Sequence, residues 1–316
     1  MTTIPAFAVV WKEGNGRRFI LGSPRASRQA GNTKRYRMIA KDSLEERVRN
    51  VPFWFHSIDL GQGIVTPGIK TPAALKKETE RLRFPDLRGK SVLDINTWDG
   101  FYAYTAERLG AASVTALDFY MWAMDLGEHW NYIQECRAKG VYPKRYETMP
   151  YYKPAELPGK CGFDLAHEVL DSKAKAVVGD FMEMDLEKLG QFDVVFFLGT
   201  LYHMENALES LKRLSRVTKE VAVIETQASE FPGFASQSVV QFFEAGELNG
   251  DSSNWWAPNL TALAAMCRTA GFRRVEVVRG PDIWSHSTPL ALLKNLVLSK
   301  KLSRVWSYRA IVHAWK

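Results

Sequence analysis

The feature that most constrains the fold is the segment 91–102, SVLDINTWDGFY, where a short apolar strand ends near an acidic residue and turns into a helix. Such a joint suits an adenosyl ligand, because amides of the turn approach it while a carboxylate accepts from its amine or ribose. Asp94, Asn96 and Gly100 are therefore predicted to bind the cofactor. Asn96 and Trp98 replace glycines of the commonest loop of this kind, but asparagine tolerates the left-handed conformation that the turn needs.

Four later segments repeat the pattern of a short apolar strand that ends at a polar or acidic residue: 113–118, 175–180, 192–200 and 220–226. Their alternation with helical segments predicts an α/β fold, a doubly wound parallel sheet with helices on both faces. Asp118 follows Asp94 by about two dozen residues, the spacing of a ribose-binding acid. We therefore expect Asp118 to bind the ribose hydroxyls. Asp180 and Phe181 are predicted to bind the adenine, and Leu198 to line the cofactor site.

Each of these acids has a second reading. A carboxylate at a strand end is as often a helix cap or a solvated loop residue, and only the shared phase of the acids favours a ligand site. A dinucleotide-binding dehydrogenase uses the same kind of sheet with an acid after the second strand. It normally carries more glycines in its first loop, whereas Gly100 is the only glycine between Asp94 and Phe101.

Length and composition are those of an enzyme with a large core. The 316 residues suffice for about two domains, or for one domain with insertions, and 46% of them are hydrophobic. Apolar runs stay far below the roughly 18 residues that cross a bilayer, and Trp11 to Arg18 is polar and basic. We therefore predict a cytoplasmic protein without a membrane partner. Cys136, Cys161 and Cys267 lack metal-ligand spacing, which predicts reduced thiols and no metal site.

The formal net charge of +7 is unevenly spread. Residues 1–50 contain 11 Lys and Arg against 4 Asp and Glu, and residues 291–316 contain 6 against none, which leaves residues 51–290 with 25 against 31. Basic chain ends bind nucleic acid, an anionic substrate or an anionic surface, or they lie solvated on an acidic body. On charge alone, nucleic acid is the minority expectation.

Composition divides the chain into three parts. Residues 1–42 predict an irregular basic extension, residues 43–90 a helical segment with a lid, and residues 91–316 the cofactor-binding domain. Two segments of that domain, at about 120–172 and 227–257, are too long for ordinary connections. We predict that these two insertions determine which substrate the protein accepts.

The lid follows a predicted helix. The capping-box spacing of Ser43 and Glu46 predicts a helix that begins at Ser43 and runs to about Asn50. Residues 51–68 are too aromatic for a linker and too rich in Gly and Pro for one regular element, which indicates a lid on the substrate side. Trp54 in this lid is predicted to contact the substrate.

The second insertion brings an amide beside aromatic rings, at Asn254, Trp255 and Trp256. Such groups bind a planar or sugar-like acceptor, and they would also suit a stacked nucleobase. The three residues are therefore predicted to bind the substrate. Adjacent side chains seldom share a direction, so one of the two Trp residues is expected in the core.

Four motifs together resemble the methyltransferase family grouped with the tRNA wobble-uridine 5-oxyacetic acid (mo5U) enzyme: HSIDLG at 56–61, TPG at 66–68, DINTWDGF at 94–101 and LGTLYH at 198–203. The resemblance covers about residues 44–280. It implies a class I methyltransferase with S-adenosyl-L-methionine (SAM) as cofactor. It also implies a Rossmann-like seven-stranded sheet of order 3-2-1-4-5-7-6, with residues 272–278 and 308–315 as the antiparallel last pair. Many family members with this first loop act on small molecules or sugars.

The same resemblance bears on the donor. The wobble-uridine enzyme transfers a carboxymethyl group from carboxy-SAM. It holds the extra carboxylate with a tyrosine that Tyr202 matches and with a lysine before a Gly-Pro-Phe. When Val51-Pro-Phe53 is set against that tripeptide, Asn50 takes the lysine position. A neutral amide does not replace the charge of an ammonium, so ordinary SAM is the expected donor.

The implied reaction is an in-line attack of an acceptor oxygen or nitrogen on a methyl group, in which positioning is the main task of the protein. His203 follows the fourth strand and is the first choice of general base, although a structural hydrogen bond to the lid is nearly as good a reading. Tyr202 is expected to line the transfer site, and His56 is a further catalytic residue. Glu225 is predicted to bind the substrate or to serve as another base.

The sequence therefore predicts a SAM-dependent methyltransferase that acts on a hydroxyl or amine of a small polar, sugar-like or secondary-metabolite acceptor. The first alternative is a tRNA wobble-uridine modifying methyl- or carboxymethyltransferase, and the second is a non-catalytic SAM-fold binding protein. A continuous positive face around the pocket would favour tRNA. Failure to bind SAM would favour the non-catalytic protein.

Overall fold

A seven-stranded sheet forms the centre of the computed structural model, which describes residues 40–231, 234–281 and 307–316. Its strands are β1 (Ser91–Ile95), β2 (Ser113–Asp118), β3 (Lys175–Val178), β4 (Phe192–Leu198), β5 (Thr218–Ser229), β8 (Arg274–Arg279) and β9 (Ser307–Trp315). Two shorter strands, β6 (Val240–Phe242) and β7 (Trp256–Pro258), pair with each other in a separate sheet. The sheet they form lies within the second predicted insertion or directly next to it.

The strand order of the main sheet is β3-β2-β1-β4-β5-β9-β8. Strands β1 to β5 are parallel, and β9 runs antiparallel to both β5 and β8. Because β6 and β7 stand outside this sheet, β8 and β9 are its sixth and seventh strands. The predicted order 3-2-1-4-5-7-6 is therefore confirmed.

Helices cover both faces of the sheet in the described part of the chain: α1 (Lys41–Asn50), α2 (Pro72–Leu82), α3 (Phe101–Arg108), α4 (Tyr120–Ala123), α5 (Leu126–Lys139), α6 (Cys161–Val169), α7 (Leu186–Leu189), α8 (Ala207–Val217) and α9 (Leu260–Thr269). A 3-10 turn, Leu201–His203, follows β4. Consecutive residues of β4 show why both faces must be covered. Phe196 and Phe197 are each fully buried but belong to separate apolar clusters, since neighbouring strand residues point to opposite faces.

The start of α1 corrects one prediction. The helix begins at Lys41, so Ser43 lies inside its first turn, and the preceding residue, Ala40, makes no side-chain capping bond. The capping-box interpretation is wrong because packing, not a cap, fixes this helix. Leu44 and Val48 lie four residues apart and are both buried on the face toward the core.

The remaining regions bear on the site. The segment 51–70 contains no helix or extended strand, and backbone hydrogen bonds fold it on itself, such as Thr66 to Ile58 and Lys70 to Phe55, each at 2.9 Å. The first insertion contains three helices, α4, α5 and α6. None of the helices in residues 40–231, 234–281 and 307–316 is long and apolar enough to cross a membrane. Most of the predicted basic extension, residues 1–39, lies outside the described residues.

Candidate cofactor and acceptor site

The predicted site residues follow neighbouring parallel strands. Asp94 lies in β1, Asp118 ends β2, and Asp180 comes two residues after β3. Tyr202 and His203 lie in the 3-10 turn after β4. Because β3, β2, β1 and β4 are adjacent in this order, the carboxyl ends of these strands bring the five residues to one edge of the sheet. We refer to this edge as the ligand edge.

The loop between β1 and α3 contains three positive φ angles: 60° at Asn96, 55° at Trp98 and 88° at Gly100. Asparagine and glycine tolerate this conformation, whereas tryptophan adopts it only where its surroundings hold it. The Trp98 ring stacks on Phe55 of the lid, with centroids 4.0 Å apart and planes at 5°. At Gly100, a Cβ would lie 2.5 Å from the ring of Tyr104, so the position requires glycine.

Two carboxylates of the ligand edge are deeply buried. Asp94 accepts a hydrogen bond from the Thr97 hydroxyl at 2.6 Å, and burial raises the pKa of Asp94 to about 7. Asp118 is 0% exposed and accepts from the backbone N–H groups of Trp98 at 2.8 Å and Met121 at 3.1 Å. Burial raises the pKa of Asp118 to about 6. In this arrangement each oxygen of Asp118 accepts a hydrogen bond, one of them from the first loop, and ribose binding by its carboxylate stays a prediction.

The two residues predicted to bind adenine differ in burial, because Asp180 is half-buried whereas Phe181 lies in the core. Asp180 accepts from the Tyr120 hydroxyl at 2.7 Å and from the Met182 amide at 2.8 Å. Phe181 is buried and packs against Phe197 in the core, so its expected place over the adenine is corrected. Tyr120, half-buried beside Asp180, is an aromatic residue of this corner that the sequence analysis missed. Its position two residues after β2 was the available signal. Leu198 is half-buried at the end of β4, and its contact with the cofactor stays a prediction.

The 3-10 turn after β4 presents His203. Its Nδ1 lies 2.9 Å from the hydroxyl and 3.3 Å from the carbonyl oxygen of Ser253 in the second insertion. Burial lowers the pKa of His203, so the neutral imidazole is favoured near neutral pH. The ring of Tyr202 lies 4.2 Å from that of His203, centroid to centroid. The alternative reading of His203, a hydrogen bond to the lid, is therefore corrected: the partner of the imidazole lies in the second insertion.

Glu225 does not have the environment of a base. Both of its carboxylate oxygens accept hydrogen bonds from the guanidinium of Arg309, which reaches across from the neighbouring strand β9. The same guanidinium lies over the ring of Tyr202, 4.8 Å from its centroid. Both oxygens of Glu225 are thus engaged by Arg309 and neither is left to face an acceptor, so the prediction of Glu225 as a base is corrected. Arg309 was missed because it is 84 residues away in the chain.

Comparison with known proteins agrees with this architecture. Residues 160–224 match the family model described as methyltransferase domain. The N-terminal domain of EvdMO1, solved in the presence of SAH and D-fucose, superposes with a TM-score of 0.52 at 15% identity, over 88% of this chain and 97% of that domain. Full-length EvdMO1 gives 0.50 at 16% identity, over 87% of this chain and 47% of that one. The chain has the class I methyltransferase fold.

Curated relatives confirm the predicted resemblance. The tRNA U34 carboxymethyltransferase of Pseudomonas aeruginosa strain LESB58 is 28% identical over 193 residues, 61% of this chain and 48% of that protein. Its counterpart in Pseudomonas syringae pv. tomato is 26% identical over 203 residues, 64% of this chain and 50% of that protein. The chain therefore spans about half the length of the curated relatives it matches. The methyltransferase domain and the SAM cofactor of its class are supported by these matches.

A buried contact joins the lid to the first loop of the methyltransferase fold. Asp99 accepts from the amides of Phe55 at 3.1 Å and His56 at 2.8 Å through one oxygen, and its other oxygen contacts Nδ1 of His56. The His56 ring also lies parallel to that of Phe101, 5.3 Å away. We call this set of contacts the Asp99 clasp. Sequence analysis singled out His56 but missed Asp99, although a carboxylate between Trp98 and a glycine needs a partner.

Trp54 occupies a different place from the one predicted. Its side chain is 3% exposed, its indole N–H donates to the Val48 carbonyl at 3.2 Å, and its ring would meet a Cβ on Gly162 at 3.4 Å. Trp54 therefore packs α1 and α6 together, and its predicted contact with the substrate is corrected.

The second insertion supports the 3-10 turn after β4. The amide of Trp255 donates to the Tyr202 carbonyl at 2.8 Å, and the indole N–H of Trp256 donates to the Met204 carbonyl at 2.9 Å. Both Trp side chains are half-buried, and Trp256 packs against an apolar core cluster of the sheet, as expected for one of the two. Phe242 is 53% exposed and packs near both rings.

Asn254 lies beneath this surface. It is 2% exposed, and its amide nitrogen donates to the Leu248 carbonyl at 2.8 Å inside the insertion. Its oxygen has no hydrogen-bond partner among the described residues. The Asn254 amide thus bonds within the insertion in this structure, and its contact with the substrate stays a prediction.

Proposed function

We propose that this protein is a SAM-dependent methyltransferase that methylates a hydroxyl or amine of a small polar, sugar-like or secondary-metabolite acceptor, with His203 as general base. The observation that carries the proposal is the state of this imidazole. It follows β4 at the ligand edge, one of its nitrogens is engaged by Ser253, and burial keeps its pKa low. A neutral imidazole with one nitrogen available suits proton removal from an acceptor.

The residues of the ligand edge fit the cofactor. The carboxylates of Asp94 and Asp180 suit its amino groups, and the indole N–H of Trp98 is buried without a partner among the described residues, as expected where a ligand supplies the acceptor. SAM supplies an electrophilic methyl group when it is bound. The protein would orient the acceptor with Trp255 and Tyr202, exclude water with the lid, and receive the acceptor proton on Nε2 of His203.

Ordinary SAM is the proposed donor. Asn50, at the position of the family's lysine, is the exposed last residue of α1. The guanidinium of Arg309 lies over the ring of Tyr202, and its charge is already balanced by Glu225. An additional carboxylate on the donor would therefore compete with Glu225 for this guanidinium.

A tRNA acceptor is the second candidate, and the names of the curated relatives favour it. A half-buried Trp255 beside an exposed Phe242 would stack on a nucleobase as well as on a sugar. We rank it second because the chain spans only about half of those relatives. A non-catalytic SAM-fold protein is the third reading.

The first test is native mass spectrometry of the full chain offered SAM and carboxy-SAM together. Retention of SAM supports the proposal, retention of carboxy-SAM makes tRNA the first acceptor to test, and binding of neither favours the non-catalytic reading. Methyl transfer from labelled SAM is then measured with a panel of sugars and hydroxylated small molecules, and with unmodified tRNA.

The second test is His203→Gln, assayed with the acceptor found in this way. We expect turnover to fall by about 10²- to 10⁴-fold while SAM affinity stays close to that of the parent. His167→Gln is the matched control, because His167 lies on α6 and its Nε2 bonds the Ala174 carbonyl at 2.9 Å. Full turnover in His203→Gln would exclude the assigned base.

A further inference from the structure

The second insertion contains a hydrogen-bond chain that ends on the imidazole of His203. The side chain of Asp251 accepts from the Ser253 hydroxyl at 2.7 Å and from the Ser253 amide at 2.9 Å, both on the same oxygen. The Ser253 hydroxyl oxygen lies 2.9 Å from Nδ1 of His203. Asp251, Ser253 and His203 therefore form one line of contacts, which we call the Asp251 chain.

The donors and acceptors of this chain can be counted. A serine hydroxyl has one hydrogen, and Ser253 gives it to Asp251, so its oxygen is left only as an acceptor toward Nδ1. The Ser253 carbonyl, 3.3 Å from the same nitrogen, also only accepts. Nδ1 must therefore carry the hydrogen, and the lone pair of the neutral ring lies on Nε2.

Nε2 of His203 has no hydrogen-bond partner in residues 40–231, 234–281 and 307–316. Among the described residues, the His203 ring bonds Ser253 through Nδ1 and packs against the ring of Tyr202. The nitrogen that carries the lone pair is thus also the one left available at the ligand edge.

We propose that Asp251 and Ser253 are positioning residues that hold His203 as the Nδ1–H tautomer and thereby make Nε2 the proton acceptor of the methyl transfer, an inference that rests on the proposed function. Neither residue contacts the reacting atoms in this scheme. In the transfer, the acceptor O–H or N–H bond breaks and its proton moves to Nε2, while the acceptor oxygen or nitrogen bonds the methyl carbon as the bond from that carbon to the sulfonium sulfur breaks. The sulfur keeps the electron pair of the broken bond, and S-adenosylhomocysteine leaves.

The charges around His203 set the direction in which its pKa responds. Burial lowers the pKa most, Asp251 raises it, and Arg309 lowers it. The hydroxyl of Tyr202 is neutral near neutral pH, because burial raises its pKa as well. Removing the carboxylate of Asp251 should therefore lower the pKa of His203 further. It should also release the Ser253 hydroxyl to donate to Nδ1, which would move the ring hydrogen to Nε2.

The test is long-range ¹⁵N–¹H correlation NMR of the histidine side chains in the full chain, which distinguishes the two tautomers without an acceptor. The chain has six histidines, and His203→Gln identifies the signal by its loss. We expect the Nδ1–H form in the parent and a shift toward the Nε2–H form in Asp251→Ala. Ser252→Ala is the matched control, since the Ser252 hydroxyl bonds the Lys144 carbonyl and not the imidazole.

Asp251→Asn removes the charge of Asp251 but keeps an oxygen that can accept a hydrogen bond. Its carboxamide oxygen can still accept from Ser253, so we expect the Nδ1–H form to persist and the pKa of His203 to fall. With the acceptor in hand, Asp251→Ala should lower kcat roughly 10- to 100-fold at unchanged KM, and Asp251→Asn should restore part of it. Thermal unfolding verifies that each variant is folded.

Two results would overturn the inference: the Nε2–H form in the parent, or an unchanged Nδ1–H form in a folded Asp251→Ala. Neither result depends on the cofactor. The proposed function fails separately, if the chain binds no SAM or if His203→Gln retains full turnover.

Discussion

The Asp99 clasp should hold the lid on the first loop, and Asp99→Ala tests this directly. The substitution removes a buried acceptor from two backbone amides, those of Phe55 and His56, and from the His56 ring. A buried donor left without a partner costs about 1–3 kcal/mol. Loss of the acceptor for three donors should therefore lower the free energy of unfolding by roughly 3–6 kcal/mol, because water that enters the site compensates the donors in part. Local opening of the segment 51–70 sets the upper limit, because the lid can detach before the sheet unfolds.

Asp99→Asn refines the prediction. Both backbone amides bond the same oxygen, Oδ2, so a carboxamide can place its oxygen there and keep both bonds. Its NH₂ group then faces Nδ1 of His56 and forces the ring to accept a hydrogen bond. We expect a loss of about 1–2 kcal/mol, clearly smaller than for the alanine variant.

The assay is urea unfolding combined with hydrogen exchange at the amides of Phe55 and His56. Asp59→Asn is the control, since this exposed carboxylate of the same segment bonds only the Gly61 amide in the described residues, at 2.9 Å. It should change stability by less than about 0.5 kcal/mol. The reasoning is refuted if Asp99→Ala exchanges these amides as slowly as the parent and unfolds at the same urea concentration.

Two further predictions concern the loop between β1 and α3. Burial raises the pKa of Asp94 to about 7. Between pH about 4 and 7 the folded chain therefore holds a proton that the unfolded chain has released, and the free energy of unfolding falls as pH rises. Asp94→Asn should flatten this fall in urea titrations across that window, and an equal slope would contradict it. Gly100→Ala should lower the free energy of unfolding by about 2 kcal/mol or more, because its Cβ would meet the ring of Tyr104. Gly89→Ala is the control: Gly89 also has a positive φ but has open space around it, so the loss should be about 1 kcal/mol. Equal losses in the two variants would exclude the clash.

The sheet was predictable because its signal is local. Each parallel strand corresponds to one short apolar run in the sequence. Five such runs occur along the chain, and each can be recognised from its own residues. Thus β4 was expected at residues 192–200 and lies at Phe192–Leu198. The antiparallel last pair and the strand order came from the family resemblance, and they too are confirmed by the sheet topology. The predicted start of α1 was wrong because burial of Leu44 and Val48 outweighs a local capping pattern.

The side chains of the site were less predictable because their partners are distant in the chain. Asp99 and His56 are 43 residues apart, Ser253 and His203 are 50 apart, and these contacts depend on how loops fold over the sheet. The burial of a side chain also could not be predicted from its neighbours in the sequence. Trp54 sits in an apolar segment that suits a lid or a core equally well, and only its place between two helices decides.

The two histidines at the site share a feature that the sheet itself does not supply. Nδ1 of His56 contacts Asp99, and Nδ1 of His203 reaches Asp251 through Ser253. In both cases one partner lies in a segment appended to the common core, the lid for His56 and the second insertion for Asp251. The strands therefore fix where a cofactor of this fold would lie, whereas contacts between the core and the appended segments orient the two histidine rings. Changes in the lid or in residues 251–256 should alter proton transfer while leaving SAM binding intact, and changes in the loop between β1 and α3 should affect both.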